Sequence, residues 1–210
     1  RVEGRTRVAW WRAIGPAGGP PVPLLQIIGD FAGGGLSLAY GMVCALFEAQ
    51  RTGLGQVVDA AMVDGTTALL APFFGMAASG MHTEEMGTNL FDGGAPFYAV
   101  YETADAKYVS VAPIEPHFYA LLLSKIGLDP AGLPAQYDRT RWPELKASFA
   151  GVFLTKTPDE LCALLQGTDA GVAPAPTLLE ARHYPHNGER HPLRARMPAP
   201  ATAPRWSHRP

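Results

Sequence analysis

Cysteine is scarce in this sequence: the 210 residues contain two, Cys44 and Cys162, far apart, with no CxxC spacing and no Cys/His cluster between them. That pattern excludes a disulfide-built scaffold and argues against a structural zinc site, so no metal is expected and a reducing, cytoplasmic compartment fits best. Long apolar runs are also missing. Leu36 to Phe47 and Thr66 to Met81 are the longest, both read as short of a bilayer span, and no charged-then-apolar leader opens the sequence. The expectation is a soluble protein that does not engage a membrane. Nucleotide signatures are absent too: the GGG at Gly33 to Gly35 is no GxGxxG, and no GxxxxGK[ST] occurs, so a nucleotide site has no support.

Charged residues make up only 17% of the chain, and they are unevenly placed. Residues 21 to 181 carry 17 acidic and 7 basic side chains, whereas the two ends carry 2 acidic and 10 basic ones. Basic ends can contact nucleic acid, but these lack an amphipathic period and mix arginine with proline, alanine and histidine. No nucleic-acid partner is expected. The sequence divides into a divergent N-terminal segment, 1–20, an organised region, 21–190, and a Pro/Arg-rich tail, 191–210, read as extended. No second hydrophobic unit follows residue 181, which suggests one globular body.

The middle is rich in patterned segments. VPLLQIIGD is an apolar, strand-like run closed by Gly29 and Asp30, and FAGGG reads as a loop leading into a helix. In that helix Leu36, Ala39, Tyr40, Val43 and Phe47 share one face, and Gly53 is its expected stop. GQVVDAAMVDGTTALLAPFFGMAASG begins β-rich and becomes a helix of small residues suited to close backbone packing. Alternation on both sides of ADAK predicts a hairpin of Tyr98 to Glu102 and Tyr108 to Val111. Pro116, after Glu115, opens a helix ended by Gly127; WPELKASFAGVF makes another; and Thr157 to Glu160 has capping-box spacing. The class is α/β with helix in excess.

Several residues carry possible chemistry. Asp30 precedes AGGG and a helix, where glycines admit close approach of a thioester or phosphate, or where the aspartate simply caps the helix. Glu115 has the same two readings at a strand end and helix start. DGGAPFY, residues 92–98, is a glycine turn entering a strand and includes Gly93, Gly94 and Tyr98. Met62, Met76, Met81 and Met86 crowd one small-residue region, as a slot for an alkyl chain or as core filling. His82 and His117 have no ligand-spaced partners, and His183, His186 and His191 sit among Pro and Arg in polar sequence, so none is read as a metal ligand.

GDFAGGG, RTGLGQVVDAAMVDG, NLFDGGAPFY, VAPIEPHFY and RWPELKASFAGVF, in that order, resemble the alpha-methylacyl-CoA racemases of the family III CoA-transferase superfamily. GTDAGVAPAPTLLEARHYPHN is similar to that family's late segment, so the resemblance covers about residues 13 to 190. It implies a partial, family III CoA-transferase-like fold with the upstream CoA-binding half outside this chain, and a homodimer of interlocked subunits. The substrate it implies is an acyl-CoA thioester, used without a cofactor in fatty acid metabolism. The activity it implies is interconversion of (R)- and (S)-2-methylacyl-CoA by α-proton transfer. Asp30 falls on the aspartate that acts as one base, and Glu115 on a glutamate that supports the site. Backbone N–H groups of Gly33, Gly34 and Gly35 would face the thioester oxygen, while Gln26, Met62, Met76, Met81, Gly93, Gly94 and Tyr98 would line the substrate. Two departures stand out. Gln26 replaces the family's usual Asn, and residues 1–20 hold no histidine to serve as the second base. Two further readings stay open: a CoA-transferase in which Asp30 attacks the thioester, and a silent, truncated dimerisation module.

Overall fold

The computed structural model describes residues 14–24 and 26–190. The segment 1–20 lies largely, and the tail 191–210 wholly, outside the described residues. The chain forms two compact units rather than the one body suggested by composition. The chain passes between the two units more than once. The first unit runs to Ala99 and includes Ala135–Lys146; the second comprises Val100–Pro134 and the residues from Ala147 onward.

In the first unit, Ile27–Leu36 is a π-helical stretch that continues without interruption into the α-helix Ser37–Thr52. This corrects the strand-then-loop reading of GDFAGGG. Three glycines in a row weaken a helix by their backbone entropy, yet here Gly33 is buried against Thr66 and Met62, where any side chain would collide. Close packing outweighs propensity. The combined helix Ile27–Thr52 has a mean hydropathy of 1.3 in its most apolar window and is, by length and composition, long and apolar enough to cross a bilayer. The expectation that no apolar run reaches that span is corrected with it. The helix ends as expected, at Gly53 (φ 75°), whose N–H donates to the Ala49 carbonyl at 2.8 Å.

The next segment is helical but not β-rich at its start: residues 55–61 form no strand, and Val57 is almost fully exposed. Two helices follow, Met62–Leu69 and Ala71–Ala78, where one was expected. Pro72 lacks an N–H and its ring crowds the carbonyl one turn earlier, so the helix restarts at Leu70. A Cβ on Gly65 would overlap the Gly33 carbonyl oxygen and approach Ser37 Oγ at 2.7 Å. Gly65→Ala should therefore destabilise this unit by about 3 kcal/mol, read as a lowered midpoint in urea. An unchanged midpoint would show that the two backbones do not touch.

The second unit is built on a three-stranded sheet in the order β1-β2-β3: β1 Ala99–Glu102, β2 Tyr108–Val111 and β3 Val172–Pro174. The hairpin β1-β2 forms as expected. It closes with Thr103 N–H on the Lys107 carbonyl at 2.9 Å and Ala106 at φ 58°. Unanticipated from the sequence, β3 pairs antiparallel to β2, with Ser110 opposite Ala173. Tyr101, Tyr119, Phe149 and Phe153 stack in the core beneath, all buried. The helices Pro116–Ile126, Trp142–Phe153 and Pro158–Leu165 have their expected starts, and Gly127 (φ 77°) ends the first of them.

Thr157 and Glu160 form the reciprocal capping box at the last of these helices. The backbone and side-chain donors of Thr157 hold the Glu160 carboxyl below its ordinary value of 4.5. Its contribution is thus complete above that value and fades as pH falls through the lower, folded one. Thr157→Ala should cost about 1 kcal/mol at neutral pH, measured by denaturant titration, with the penalty shrinking in acid. A penalty independent of pH would separate the threonine from its glutamate.

Candidate functional site

Each candidate residue belongs to one unit or the other. Asp30 lies in the first turn of the long helix, and it is exposed. Its N–H donates to the Gln26 carbonyl at 3.2 Å, and among the described residues its carboxylate has no hydrogen-bond or ion-pair partner. The backbone here is fixed while the acid is left available to a ligand. Gln26 is exposed at the start of the same stretch and makes no side-chain cap.

Gly33, Gly34 and Gly35 do not form the open donor loop expected of them. They are interior to the π-helical stretch, so their N–H groups belong to the helical ladder and are not free for a thioester oxygen. Their role in this structure is contact. Gly33 meets Thr66, and a Cβ on Gly34 would lie 3.0 Å from Met62 Cγ. Met62 is thereby brought beside the stretch that carries Asp30.

A second cluster in the same unit gathers Met76, Met81, Gly93, Gly94 and Tyr98. Met81 N–H donates to the Met76 carbonyl at 2.8 Å, and Phe91 bridges Phe73 and Tyr98 edge to face, at 6.4 and 5.2 Å between centroids. His82 packs on Phe73 at 5.8 Å, and its buried Nδ1 has no hydrogen-bond partner among the described residues. Around these lies a turn held by polar groups. The Asp92 carboxylate accepts from the N–H groups of Gly87, Asn89 and Gly94 at 2.9, 2.8 and 3.1 Å, and from Asn89 Nδ2 at 2.9 Å. Asn89 is buried, and all its side-chain capacity is used: Nδ2 also donates to the Thr83 and Glu85 carbonyls, and Oδ1 accepts from Thr83 N–H. Arg139 donates to the carbonyls of Met81 and Thr88 and to Asn89 Oδ1 at 3.3, 3.1 and 3.1 Å, and its guanidinium sits over the Trp142 ring. Lys146 donates to the Gly93 carbonyl. Burial pushes the Lys146 ammonium down from its ordinary value, with the nearby Asp92 charge opposing. Arg139 and Lys146 escaped the sequence reading because their partners are some fifty residues away in the chain, and Asn89, whose other partners are within six residues, did so because it sits in a turn of irregular backbone.

Glu115 stands in the other unit. It is exposed, it precedes Pro116 at the start of Pro116–Ile126, and its side chain makes no capping hydrogen bond. The simple cap reading is therefore unsupported, and the carboxylate is left for another partner. The second unit also holds a cavity of about 340 Å³ lined by Lys107, Tyr108, Asp159, Pro174, His183 and Tyr184 among others. None of the candidate residues lines it. No group of three metal-ligating side chains converges among the described residues.

Comparison with known proteins gives these positions a context. Residues 4–209 match the family model described as CoA-transferase family III. The chain is 45% identical over 200 residues to mouse alpha-methylacyl-CoA racemase, covering 94% of this chain and 52% of that protein. It is 46% identical over 177 residues to the human racemase, covering 84% of this chain and 46% of that one. The chain thus spans about half the length of these curated relatives. Among solved structures it resembles a hypothetical protein from Mycobacterium tuberculosis, with a TM-score of 0.64, 24% identity, and coverage of 85% of this chain and 48% of that one. It also resembles a CAIB/BAIF family protein from Brucella suis, with a TM-score of 0.66, 20% identity, and coverage of 87% and 49%. Those likenesses establish the fold.

Proposed function

The chain belongs to CoA-transferase family III, and on that premise we propose that it serves an enzyme interconverting (R)- and (S)-2-methylacyl-CoA thioesters. The observation that carries this reading is its identity of 45% and 46% to two alpha-methylacyl-CoA racemases across most of its length. The chemistry asks for a base at each face of C2 and donors for the enolate oxygen that forms between transfers. Asp30 takes one face: its carboxylate is exposed, lacks a partner among the described residues, and is carried on a backbone fixed by the helix ladder. Glu115, in the other unit, likewise makes no side-chain capping hydrogen bond. The methionines at 62, 76 and 81 suit an alkyl chain of variable shape, since an unbranched thioether adapts its rotamers to what it meets.

This reading includes an acyl-CoA substrate without a resident cofactor, a cytoplasmic setting in fatty acid metabolism, and a homodimer. The last is supported by the long helix: Leu36, Tyr40, Val43 and Phe47 are each more than 60% exposed along one face. Deuterium entry at C2 of a 2-methylacyl-CoA in D₂O, followed by NMR, tests the activity. Exchange with scrambling of configuration is expected. An acyl-aspartyl adduct trapped at Asp30, without exchange, would assign the chain to acyl transfer instead.

A further inference from the structure

The turn Thr88–Gly94 is held far more firmly than its length requires. One carboxylate, from Asp92, collects four N–H donors; one guanidinium, from Arg139, ties together three acceptors; and one half-buried ammonium, from Lys146, takes the carbonyl of Gly93. Drawing a lysine and an arginine out of water costs free energy, and a surface turn of this length can be closed by backbone bonds alone. Over-determination of that kind is found where a backbone group must be kept in one place.

The group so fixed is the Gly93–Gly94 peptide, its carbonyl on Lys146 and its N–H on Asp92; the Gly93 N–H belongs to the peptide before it, and the residue that carries this N–H is thereby pinned from both neighbours, Asp92 and Gly94. The φ of Gly93 is +87°, which suits glycine, and a Cβ there would meet nothing within 4 Å, so the turn is open on that side. Gly94, its neighbour, is the opposite: it is buried, and a Cβ would overlap Thr88. The N–H of Gly94 is spent on Asp92, whereas that of Gly93 has no partner among the described residues. One glycine anchors the turn and the other presents it.

We propose that Lys146 and Arg139 are positioning residues that hold the Asp92–Gly94 turn so that the Gly93 N–H is offered as a hydrogen-bond donor to the carbonyl oxygen of a bound acyl thioester. This deepens the racemase reading and rests on it. Lys146 acts through the carbonyl of Gly93 and fixes its orientation. Arg139 acts further back, by fixing Thr88 and Asn89, from which the turn departs. Neither side chain touches substrate in this scheme. With the helical glycines removed from the donor role, Gly93 supplies the enolate-stabilising contact that α-proton transfer needs.

The test compares wild-type chain with Lys146→Met, Lys146→Arg and Arg139→Lys. Two readouts are taken: amide hydrogen exchange across Gly87–Ala95 without ligand, and kcat and KM for C2 deuterium exchange with a 2-methylacyl-CoA. Lys146→Met should leave exchange in the second unit unchanged, release the amides of Gly87, Asn89, Gly94 and Ala95 roughly tenfold faster, and lower kcat roughly ten- to hundredfold with little change in KM, as expected when a reacting group is misplaced by about an ångström. Lys146→Arg should recover most of kcat, and Arg139→Lys should fall between. Unchanged turn protection in Lys146→Met overturns the proposal, as does a loss confined to KM or a normal kcat. If wild-type chain shows no C2 exchange at all, the racemase reading fails, and with it the donor role of Gly93; faster turn exchange in Lys146→Met would still uphold the two positioning assignments.

Discussion

Asp30→Asn should abolish deuterium entry at C2 of a 2-methylacyl-CoA, with a loss of at least about a hundredfold and up to about ten-thousandfold, the range expected when a general acid/base is removed. The substitution keeps shape and hydrogen bonding while removing the oxygen that carries the proton. Because Asp30 is exposed and its side chain has no partner among the described residues, the variant should unfold at the same denaturant concentration as the parent. That separation makes the experiment decisive: lost exchange at unaltered stability assigns the proton to Asp30, and retained exchange removes Asp30 from the chemistry. A variant that loses exchange because it has also lost stability would point to a structural aspartate instead.

Phe149→Ala is expected to have the largest effect on folding. Phe149 is fully buried and touches Tyr101, Tyr119 and Phe153, three other rings of the same core, at centroid distances of 6.1, 6.1 and 6.2 Å. Truncation removes the ring and leaves a cavity that three stiff aromatics cannot close, for a loss of about 3–5 kcal/mol. That is a large part of the stability of a unit this size. The measurement is denaturant unfolding followed by tyrosine fluorescence and by circular dichroism. Burial holds the Tyr101 hydroxyl well above the usual tyrosine range, so its ionisation in mild alkali should appear only once this core is opened, and earlier in Phe149→Ala than in the parent. A loss under 1 kcal/mol would show that the core repacks.

Much of the second unit was legible because its signals are local. Pro116 with Gly127, Thr157 with Glu160, and the alternation around ADAK each specify an element within a few residues, and each element formed there. β3 was not legible. Val172–Pro174 is three residues long, and its place beside β2 depends on a partner sixty residues earlier. The first unit hid more. FAGGG reads as loop by every local rule, but the close contact of Gly33 with Thr66 and Met62 decides otherwise. The error carried over to function, since donors expected from a loop are consumed by a helix. The residues that resemble the racemases remained visible throughout, whereas Arg139 and Lys146 had no local signature; they are recognised only by the carbonyls they reach.

The meeting of Gly33 and Gly65 has a consequence for how this sequence can vary. Where two main chains touch, the two positions accept no side chain at all, so every alternative among the other nineteen amino acids is closed at both. The face of the long helix that carries Leu36, Tyr40, Val43 and Phe47 is under no such restriction from its own unit: each of the four is more than 60% exposed. In a saturation-mutagenesis survey scored for folding of the isolated chain, Gly33 and Gly65 should register as intolerant single positions, while that outward row tolerates nearly everything. Any intolerance that appears there when growth is scored in place of folding would measure the demands of whatever the helix meets in the cell.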